Sequence, residues 1–385
     1  MDLFQSVDTI GLDISDYSIE VAQVDRKKRV VSFGRGVLEP GIVESGKILD
    51  KPRLAEQIKR VLKSARPKSL EKAKSLKAIV SLPETRIFTH RFEVDQGVKG
   101  EELKNTIYEE VLKIFPFDLQ KSSWDYLAFP SKVVSNSKTS PTQAPLARYK
   151  NTIIYFALPK DIVVDYFEVI QNSGLSPHLF ESESQALGRV MLQEEQHYKG
   201  GTAILDIGAK NTILAIFDSR KALSLSVTIP IGGWNFSEEI AKGKGGILFE
   251  DAEQDKRALG FNQNAPGNTI RPILAKAFAK IIAETQKSIS YYTSTFRESV
   301  DSLVICGGSS MMPDIDVYFR ENLDGQFPVN VQLANLGDKV IGSKGFVNDK
   351  NVPAILFSGA VGLAMRALDH DDLAHRGINF LKRMK

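Results

Sequence analysis

Apolar and polar positions alternate in two separated stretches that share one shape. Ile10 to Ile14 is a short apolar run, Ser15-Asp16-Tyr17 a polar turn, and Ser18 to Val24 a second apolar run. That is the pattern of a β-hairpin. Ala203 to Ile207, the turn Gly208-Ala209-Lys210-Asn211, and Thr212 to Phe217 repeat it. A shift of 193 residues superposes Leu12, Asp13 and Ile14 on Leu205, Asp206 and Ile207. The same shift carries Ala22, Asp25 and Lys28 onto Ala215, Asp218 and Lys221. The period is far longer than a solenoid unit. It predicts two similar α/β domains, each opening on a hairpin that carries an aspartate at its turn.

Between the repeats, Lys77 to Leu82 reads as a buried strand stopped by Pro83, and Ile87 to Val94 as a strand with Phe88, Phe92 and Val94 on one face. Leu103, Ile107, Val111 and Ile114 lie on one face of a helix expected to end at Pro116. Ser131 to Lys150, rich in Ser, Thr, Pro and Lys, reads as a loop inside a small inserted domain. Ile153 to Leu158 is a strand, and Lys160 to Ser173 an amphipathic helix closed by Gly174. After the second hairpin, Thr269 to Arg297 carries a helical apolar stripe, and Leu303 to Cys306 is a strand entering Gly307-Gly308-Ser309-Ser310. The apolar run Val352 to Met365 reads as a buried helix, too short for a bilayer.

Composition narrows the function classes. Lys+Arg 50 against Asp+Glu 47 leaves +3, which gives no reason to propose nucleic acid as a partner. One cysteine, Cys306, excludes a disulfide framework and a cysteine-based zinc site, and five scattered histidines make a structural metal an unattractive reading. No basic patch precedes an apolar run at the N-terminus. The expectation is an intracellular protein without a membrane span.

The repeated aspartates suggest chemistry. An aspartate at a hairpin turn can hold a hydrated divalent cation, and a turn free of side chains lets backbone approach phosphate oxygens. Two such turns facing each other across a cleft would clamp a nucleoside triphosphate with its Mg²⁺. Asp206-Ile207-Gly208 fits that logic, and Gly307-Gly308 after a buried strand fits a place where backbone must clear an adenosine. By itself the first is equally an ordinary hairpin turn, and Gly-Gly after a strand is more often simply a turn.

Taken in order, Gly11-Leu12-Asp13-Ile14, Leu205-Asp206-Ile207-Gly208, Ile305-Cys306-Gly307-Gly308 and Ser358-Gly359-Ala360-Val361-Gly362-Leu363-Ala364 resemble the two phosphate motifs, adenosine motif and second connecting helix of the actin-like ATPases. Glu101 to Leu119, Gly174-Leu175-Ser176-Pro177 with Glu181 to Leu187, and Ile229 to Gly233 with Ala252-Glu253, Lys256 and Gly260 resemble the FtsA/PilM branch, on the PilM side. The resemblance implies an α/β, actin-like (ribonuclease H-like) two-domain fold with an FtsA/PilM-type insert. Residues 1–84 and 175–200 would form the first domain, with 352–385 returning to it, and 85–174 an inserted interaction subdomain. Residues 201–235 and 300–351 would form the second domain, and 236–299 its helical subdomain.

The resemblance also implies ATP and Mg²⁺ as cofactors. Asp13 and Asp206 would flank the Mg²⁺, mostly through water. Ser15 and Ser18 of the first turn and Gly208, Lys210 and Asn211 of the second would meet phosphates. Gly307, Gly308 and Ser309 would line the adenosine, Glu253 and Lys256 would meet the ribose, and Glu183 would orient the attacking water. Two departures stand out: Ser15 replaces a usual glycine, and Glu20 a frequent lysine. Glu20 either faces the phosphates, where it would repel them, or points to solvent at the hairpin edge. ATP binding with slow or absent hydrolysis is therefore the expectation.

The implied role is a cytoplasmic scaffold of the type IV pilus inner-membrane platform, peripheral at the inner face of the cytoplasmic membrane through partners. Its partners would be the N-terminus of a PilN-type bitopic membrane protein, other platform proteins and itself. An FtsA-like filament-forming tether is the alternative; a phosphotransferase lacks an evident base, and a chaperone would need a peptide-binding domain. Phe88, Phe92, Tyr108, Phe115, Phe117, Trp124 and Tyr126 are candidates for the partner groove or for the insert's own core. The C-terminal Gly377-Ile378-Asn379-Phe380-Leu381 is similar to the partner's motif, roughly Ile-Asn-Leu-Leu-Pro. It reads as a frayed end, a lipid-contacting tail, or a docking peptide for the same groove.

Overall fold

The computed structural model describes residues 8–67, 69–71, 76–114, 118–130, 150–192, 197–323, 329–336, 353–368 and 377–383. The expected loop at 131–149, and Phe115 and Phe117, lie outside them. The first hairpin is β1 (Thr9–Ile14) paired antiparallel with β2 (Ser18–Val24), and β3 (Val30–Val37) continues the meander. A two-residue hairpin, β4 (Val43–Glu44) with β5 (Lys47–Ile48), leads to helix α1 (Lys51–Ser64). Asp50 caps α1 by accepting from the Arg53 amide, and Leu54, Ile58, Val61 and Leu62 form its buried stripe. Strand β6 (Lys77–Leu82) then runs parallel to β1.

A second, smaller sheet follows. Strands β7 (Phe88–Asp95), β8 (Ser122–Pro130) and β9 (Lys150–Pro159) pair antiparallel in the order β7-β9-β8, with helix α2 (Gly100–Leu112) between β7 and β8 in sequence. Ile107 and Val111 of α2 pack with Val94, Ile153 and Tyr155, and Phe88, Phe92, Trp124 and Tyr126 pad the same cluster. The helix stops at Leu112, before the expected Pro116, and Ile114 is exposed beyond it. Helix α3 (Lys160–Asn172) packs on α1, and β10 (Ser176–Ser182) joins β6 to complete a sheet ordered β10-β6-β1-β2-β3. Helix α4 (Glu183–Met191) follows, with Ser182 as its cap.

The second half rebuilds the first. β11 (Gly201–Ile207), β12 (Thr212–Phe217) and β13 (Leu223–Ile229) form the meander; helices α5 (Gly233–Gly243), α6 (Phe249–Leu259) and α7 (Arg271–Phe296) intervene. Strand β14 (Val300–Cys306), helix α8 (Ile315–Leu323) and β15 (Asn330–Leu333) complete a sheet ordered β13-β12-β11-β14-β15. Both sheets thus have three antiparallel strands followed by two parallel ones. The repeat holds to the residue: Gly11 pairs with Ala22 as Ile204 with Ala215, and Asp13 with Glu20 as Asp206 with Ile213. It extends to the next turns, where Lys28 and Lys221 both take positive φ beside buried Asp25 and Asp218.

The apolar run near the C-terminus divides into a 3₁₀ turn at Ala354–Phe357 and helix α9 (Ser358–Arg366), the Ser358 hydroxyl donating back to the Ile355 carbonyl at 2.7 Å. Helix α9 packs on β1, β2 and α4. Cys306 is fully buried, and burial pushes its thiol well above the ordinary range, so it is chemically inert. The C-terminal segment Gly377–Arg383 lies against β8 and β10 with Ile378 and Phe380 fully buried. The frayed and lipid-contacting readings are therefore corrected: Ile378 and Phe380 are covered by the chain itself, and Leu381 packs partly buried against the same core.

Candidate functional site

The ends of β1 and β11 bring the two repeated aspartates to one cleft. Asp13 accepts from the Ser81 hydroxyl at 2.5 Å, and its Oδ2 abuts the start of α9, where a Cβ on Gly359 would stand 2.0 Å away. Asp206 meets the turn after β14 in the same manner: a Cβ on Gly307 would stand 2.0 Å from its Oδ1, and Gly307 has φ of 84°. Glu183, the first residue of α4, enters the same space. Desolvation pushes the Asp13 carboxyl up. Burial and then the charge of Asp13 push Asp206 up to about 7. Burial, then Asp13 and Asp206, push Glu183 well above the usual carboxylate range.

Glu84 adds a further buried carboxyl, accepting from the Ser226 hydroxyl at 2.5 Å and the Ser184 amide at 3.2 Å, so it joins β13 to the start of α4. Among the described residues no three carboxylate, imidazole or thiolate groups are grouped to hold a metal directly. What the aspartates present is negative charge facing itself in poor solvent, an arrangement that a hydrated divalent cation would relieve.

The two hairpin turns close the cleft. Ser15 donates to the Ser18 carbonyl at 3.1 Å and accepts from the Ser18 amide at 2.9 Å, so its hydroxyl is spent on fixing its own turn. Ser18 is buried. Opposite, Gly208 donates its amide to the Asn211 carbonyl at 3.0 Å. Ser15, Asp16, Tyr17, Glu84, Glu183, Asp206, Gly208, Lys210 and Asn211 share a cavity of about 80 Å³. Asp16, Tyr17, Lys210 and Asn211 also line an adjoining cavity of about 850 Å³, floored by Trp234 and Phe249. The second has the volume of a small-molecule site; the first does not. Tyr17 crosses the cleft to meet Trp234 edge-on, ring centroids 6.1 Å apart.

Glu20 does not point to solvent. It lies beside Asp13 on the adjacent strand, is 5% exposed, and accepts from Arg35 Nε of β3 at 2.7 Å. The solvent-facing reading is thus corrected. Burial pushes the Glu20 carboxyl up to about 8, the Arg35 guanidinium pulling the other way.

On the second-domain side, Ser309 sits below Gly208, its hydroxyl 3.4 Å from that carbonyl, and a Cβ on Gly233 would stand 2.6 Å from Ser309 Oγ. Gly308 faces Leu356. Lys256 is buried, and its ammonium donates to the Gly233 carbonyl at 2.7 Å, Ser237 Oγ at 2.9 Å and Glu253 Oε2 at 2.6 Å. Burial lowers the Lys256 ammonium; the Glu253 carboxyl, although burial pushes it up, is held below its ordinary range by Lys256. Glu253 is the member of this pair that lines the wide cavity.

Ser81, Glu84, Tyr17 and Trp234 escaped the sequence reading. Glu84, directly after the strand-ending Pro83, carried the one usable signal, an acidic residue at a strand-to-insert junction.

A family model described as Type IV pilus assembly protein PilM matches residues 11–368. A chain of a solved PilM-PilN type IV pilus biogenesis complex has 18% identity to this one, covering 94% of this chain and 99% of that one, with a TM-score of 0.74. The ethanolamine utilization protein EutJ from Carboxydothermus hydrogenoformans has 14% identity, 93% and 89% coverage and a TM-score of 0.54. MreB5 of Spiroplasma citri, solved bound to ADP, has 15% identity, 93% and 95% coverage and a TM-score of 0.51. These likenesses establish the expected fold class, actin-like and α/β.

Proposed function

The chain belongs to the family of the type IV pilus assembly protein PilM, and on that premise we propose that it is a nucleotide-binding scaffold of the inner-membrane pilus platform. It binds ATP with Mg²⁺ between the two hairpins and holds the cytoplasmic N-terminus of a PilN-type membrane protein. The observation that carries the nucleotide half is the pair Asp13 and Asp206, at identical register in the two repeats and raised together by desolvation, the second also by the charge of the first. Such a pair fits a cation held through water. A Mg²⁺ ion there would neutralise phosphate charge. Gly208, Lys210 and Asn211 meet the phosphates, with Ser15 and Ser18 shaping the opposing turn; Gly307, Gly308 and Ser309 take the adenosine and Glu253 the ribose, Lys256 positioning it.

Hydrolysis is slow in this reading. A base must be deprotonated to take a proton from water. Burial and the neighbouring carboxylates push Glu183 well above the carboxylate range, a direction that works against that role. Glu20, where the family often has lysine, offers the phosphates no cation; Lys210 is a positive group that lines the cleft between the hairpins. Among the described residues no helix is long and apolar enough to cross a membrane. Attachment at the inner face of the cytoplasmic membrane then comes through the partner, and other platform proteins and further copies of the chain complete the scaffold.

The test is titration calorimetry with ATP-Mg²⁺ and with the PilN-type N-terminal peptide. Both are expected to bind, ATP-Mg²⁺ losing at least tenfold in affinity in Asp206→Ala. No heat with ATP-Mg²⁺ removes the nucleotide half, and rapid phosphate release that disappears in Glu183→Gln removes the slow-turnover half.

A further inference from the structure

The C-terminal segment Gly377–Arg383 is seated in a groove with walls from two parts of the fold. One wall is β8. Its residues alternate, so Trp124 and Tyr126 pack toward α2 while Ser123 and Asp125 meet the segment. The other wall is β10, the edge strand of the first sheet, with the beginning of α4. The Ile378 amide donates to Gln185 Oε1 at 3.3 Å and the Asn379 amide to Asp125 Oδ2 at 2.9 Å. Asn379 Oδ1 accepts from the amides of Phe180, at 3.3 Å, and Leu381, at 3.0 Å. Ser123 Oγ donates to the Phe380 carbonyl at 2.6 Å, and Lys382 Nζ reaches Asp125 Oδ2 at 3.0 Å. A Cβ on Gly377 would stand 2.4 Å from the guanidinium carbon of the fully buried Arg366.

This is how a protein holds a peptide. The segment adds no strand to either sheet; it is gripped through wall side chains, its own asparagine and two buried apolar side chains. The groove is also built to be filled. Asp125 is buried, and among the described residues the two groups that its carboxylate accepts from, the Asn379 amide and the Lys382 ammonium, belong to the segment. Phe180, on an edge strand, gives its amide to Asn379. With nothing in the groove, a buried carboxylate and a sheet-edge amide lose these partners, a state that favours rapid replacement by another chain offering the same groups.

We propose that this groove is a peptide receptor, that Gly377–Arg383 is its ligand in cis, and that a partner segment of the same chemistry enters by displacing it. That chemistry is an aliphatic residue, an asparagine, a large apolar residue, a leucine and then a cation. A ligand carried on the same chain competes as an intramolecular one, so the segment sets a threshold that an incoming peptide must exceed. The identity of the partner as a PilN-type N-terminus rests on the function proposed above; the receptor groove does not.

The test uses the fluorescein-labelled nonapeptide of residues 377–385, added to the full chain and to a chain ending at Arg376. The shortened chain is expected to bind it, and the full chain at least tenfold more weakly. Equal affinities, or no binding to a shortened chain that still melts cooperatively, overturn the proposal. Phe380→Asp in the full chain carries the same test without truncation: it is expected to bind the nonapeptide as the shortened chain does, and binding as weak as the parent's overturns the proposal. Failure of both variants to fold makes the segment an obligatory part of the core, which also overturns it. A full-length dimer that dissociates on truncation puts the tail in trans and overturns the assignment in cis. If the nonapeptide binds the shortened chain while the unlabelled PilN-type peptide does not compete, the groove stands and the partner identity falls.

Discussion

Asp206 Oδ1 lies 2.0 Å from where a Cβ on Gly307 would stand, and Gly307 has φ of 84°. Both facts require glycine, because the left-handed region strains any side chain and the clash is with a carboxylate of the cleft. Gly307→Ala is expected to destabilise the fold by about 2 kcal/mol or more and to displace Asp206. Gly308→Ala, whose Cβ would meet Leu356 at an ordinary 3.4 Å, is expected to stay within about 0.5 kcal/mol of the parent. Urea unfolding of the two variants checks the pair; equal costs would contradict the geometry.

The raised carboxyls give a pH dependence with a definite sign. Asp206 rises from 3.8 to about 7 and Glu20 from 4.5 to about 8 in the folded chain. Between those values the native state binds more protons than the unfolded one, so stability is greatest below about pH 4 for these groups and falls as pH rises toward 8. Each group contributes a slope of at most about 1.4 kcal/mol per pH unit. Asp206→Asn is expected to remove its share, so melting temperatures of parent and variant should converge as pH falls from 8 to 5 relative to their difference at pH 8, with the variant the more stable at pH 8. A cation binds the ionised form, so ATP-Mg²⁺ affinity is expected to rise from pH 6 to pH 8 in the parent, with proton release, and to lose that slope in Asp206→Asn.

The hairpins were legible in the sequence because their pattern has period two and occurs twice. A shift of 193 residues singles out Asp13 and Asp206 in the sequence alone, and the strand registers repeat with the same shift. What surrounds them was not legible. Arg35 reaches Glu20 only because β3 lies beside β2, in a register that shifts between Gln23 and Val24. The sequence Ser123-Trp124-Asp125-Tyr126 shows two faces of a strand without saying what covers the polar one. Of the two readings open for the aromatic face, partner groove or the insert's own core, Trp124 and Tyr126 follow the second and pad that core. The opposite face, with a buried aspartate, holds the C-terminal segment. A buried acidic residue flanked by aromatics in a strand was the available signal.

The repeat predicts matched energetics outside the cleft. Asp25 accepts from Arg29 Nη2 at 2.6 Å and from the amides of Lys27 and Arg29; Asp218 accepts from Arg220 Nη2 at 2.6 Å and from the amides of Arg220 and Ala222. Each carboxylate closes the turn that follows a central hairpin strand. Asp218 has a second cation, Arg91 Nη1 at 3.8 Å, whose side chain is only 12% exposed. Removing a buried partner leaves the remaining charge uncompensated. Asp218→Ala is therefore expected to cost about 3 kcal/mol and Asp25→Ala about 2 kcal/mol, the double variant adding within about 0.5 kcal/mol because the turns sit on different sheets. Denaturant titration of the three variants decides, and a larger cost for Asp25→Ala would refute the role given to Arg91.

The last prediction concerns the crossing of α4 and α9. A Cβ on Gly362 would stand 2.0 Å from the Ala186 carbonyl oxygen, so the helices touch backbone to backbone there. Arg189 of α4 fastens the crossing, donating to the Gly362 carbonyl at 2.9 Å and to Glu181 at 2.7 Å. The same two helices begin at the cleft, α4 with Glu183 and α9 with Gly359 against Asp13. Interiors are close-packed and transmit such strain. Gly362→Ala is expected to push the helices apart, destabilise the fold by about 2 kcal/mol, and weaken ATP-Mg²⁺ binding about tenfold, or about 1.4 kcal/mol, without altering a residue of the cleft. Gly97→Ala, where a Cβ meets nothing within 4 Å, is the neutral control. Calorimetric titration beside urea unfolding separates the two effects: lost stability with unchanged ATP-Mg²⁺ affinity would show that the crossing supports the fold and leaves the site alone.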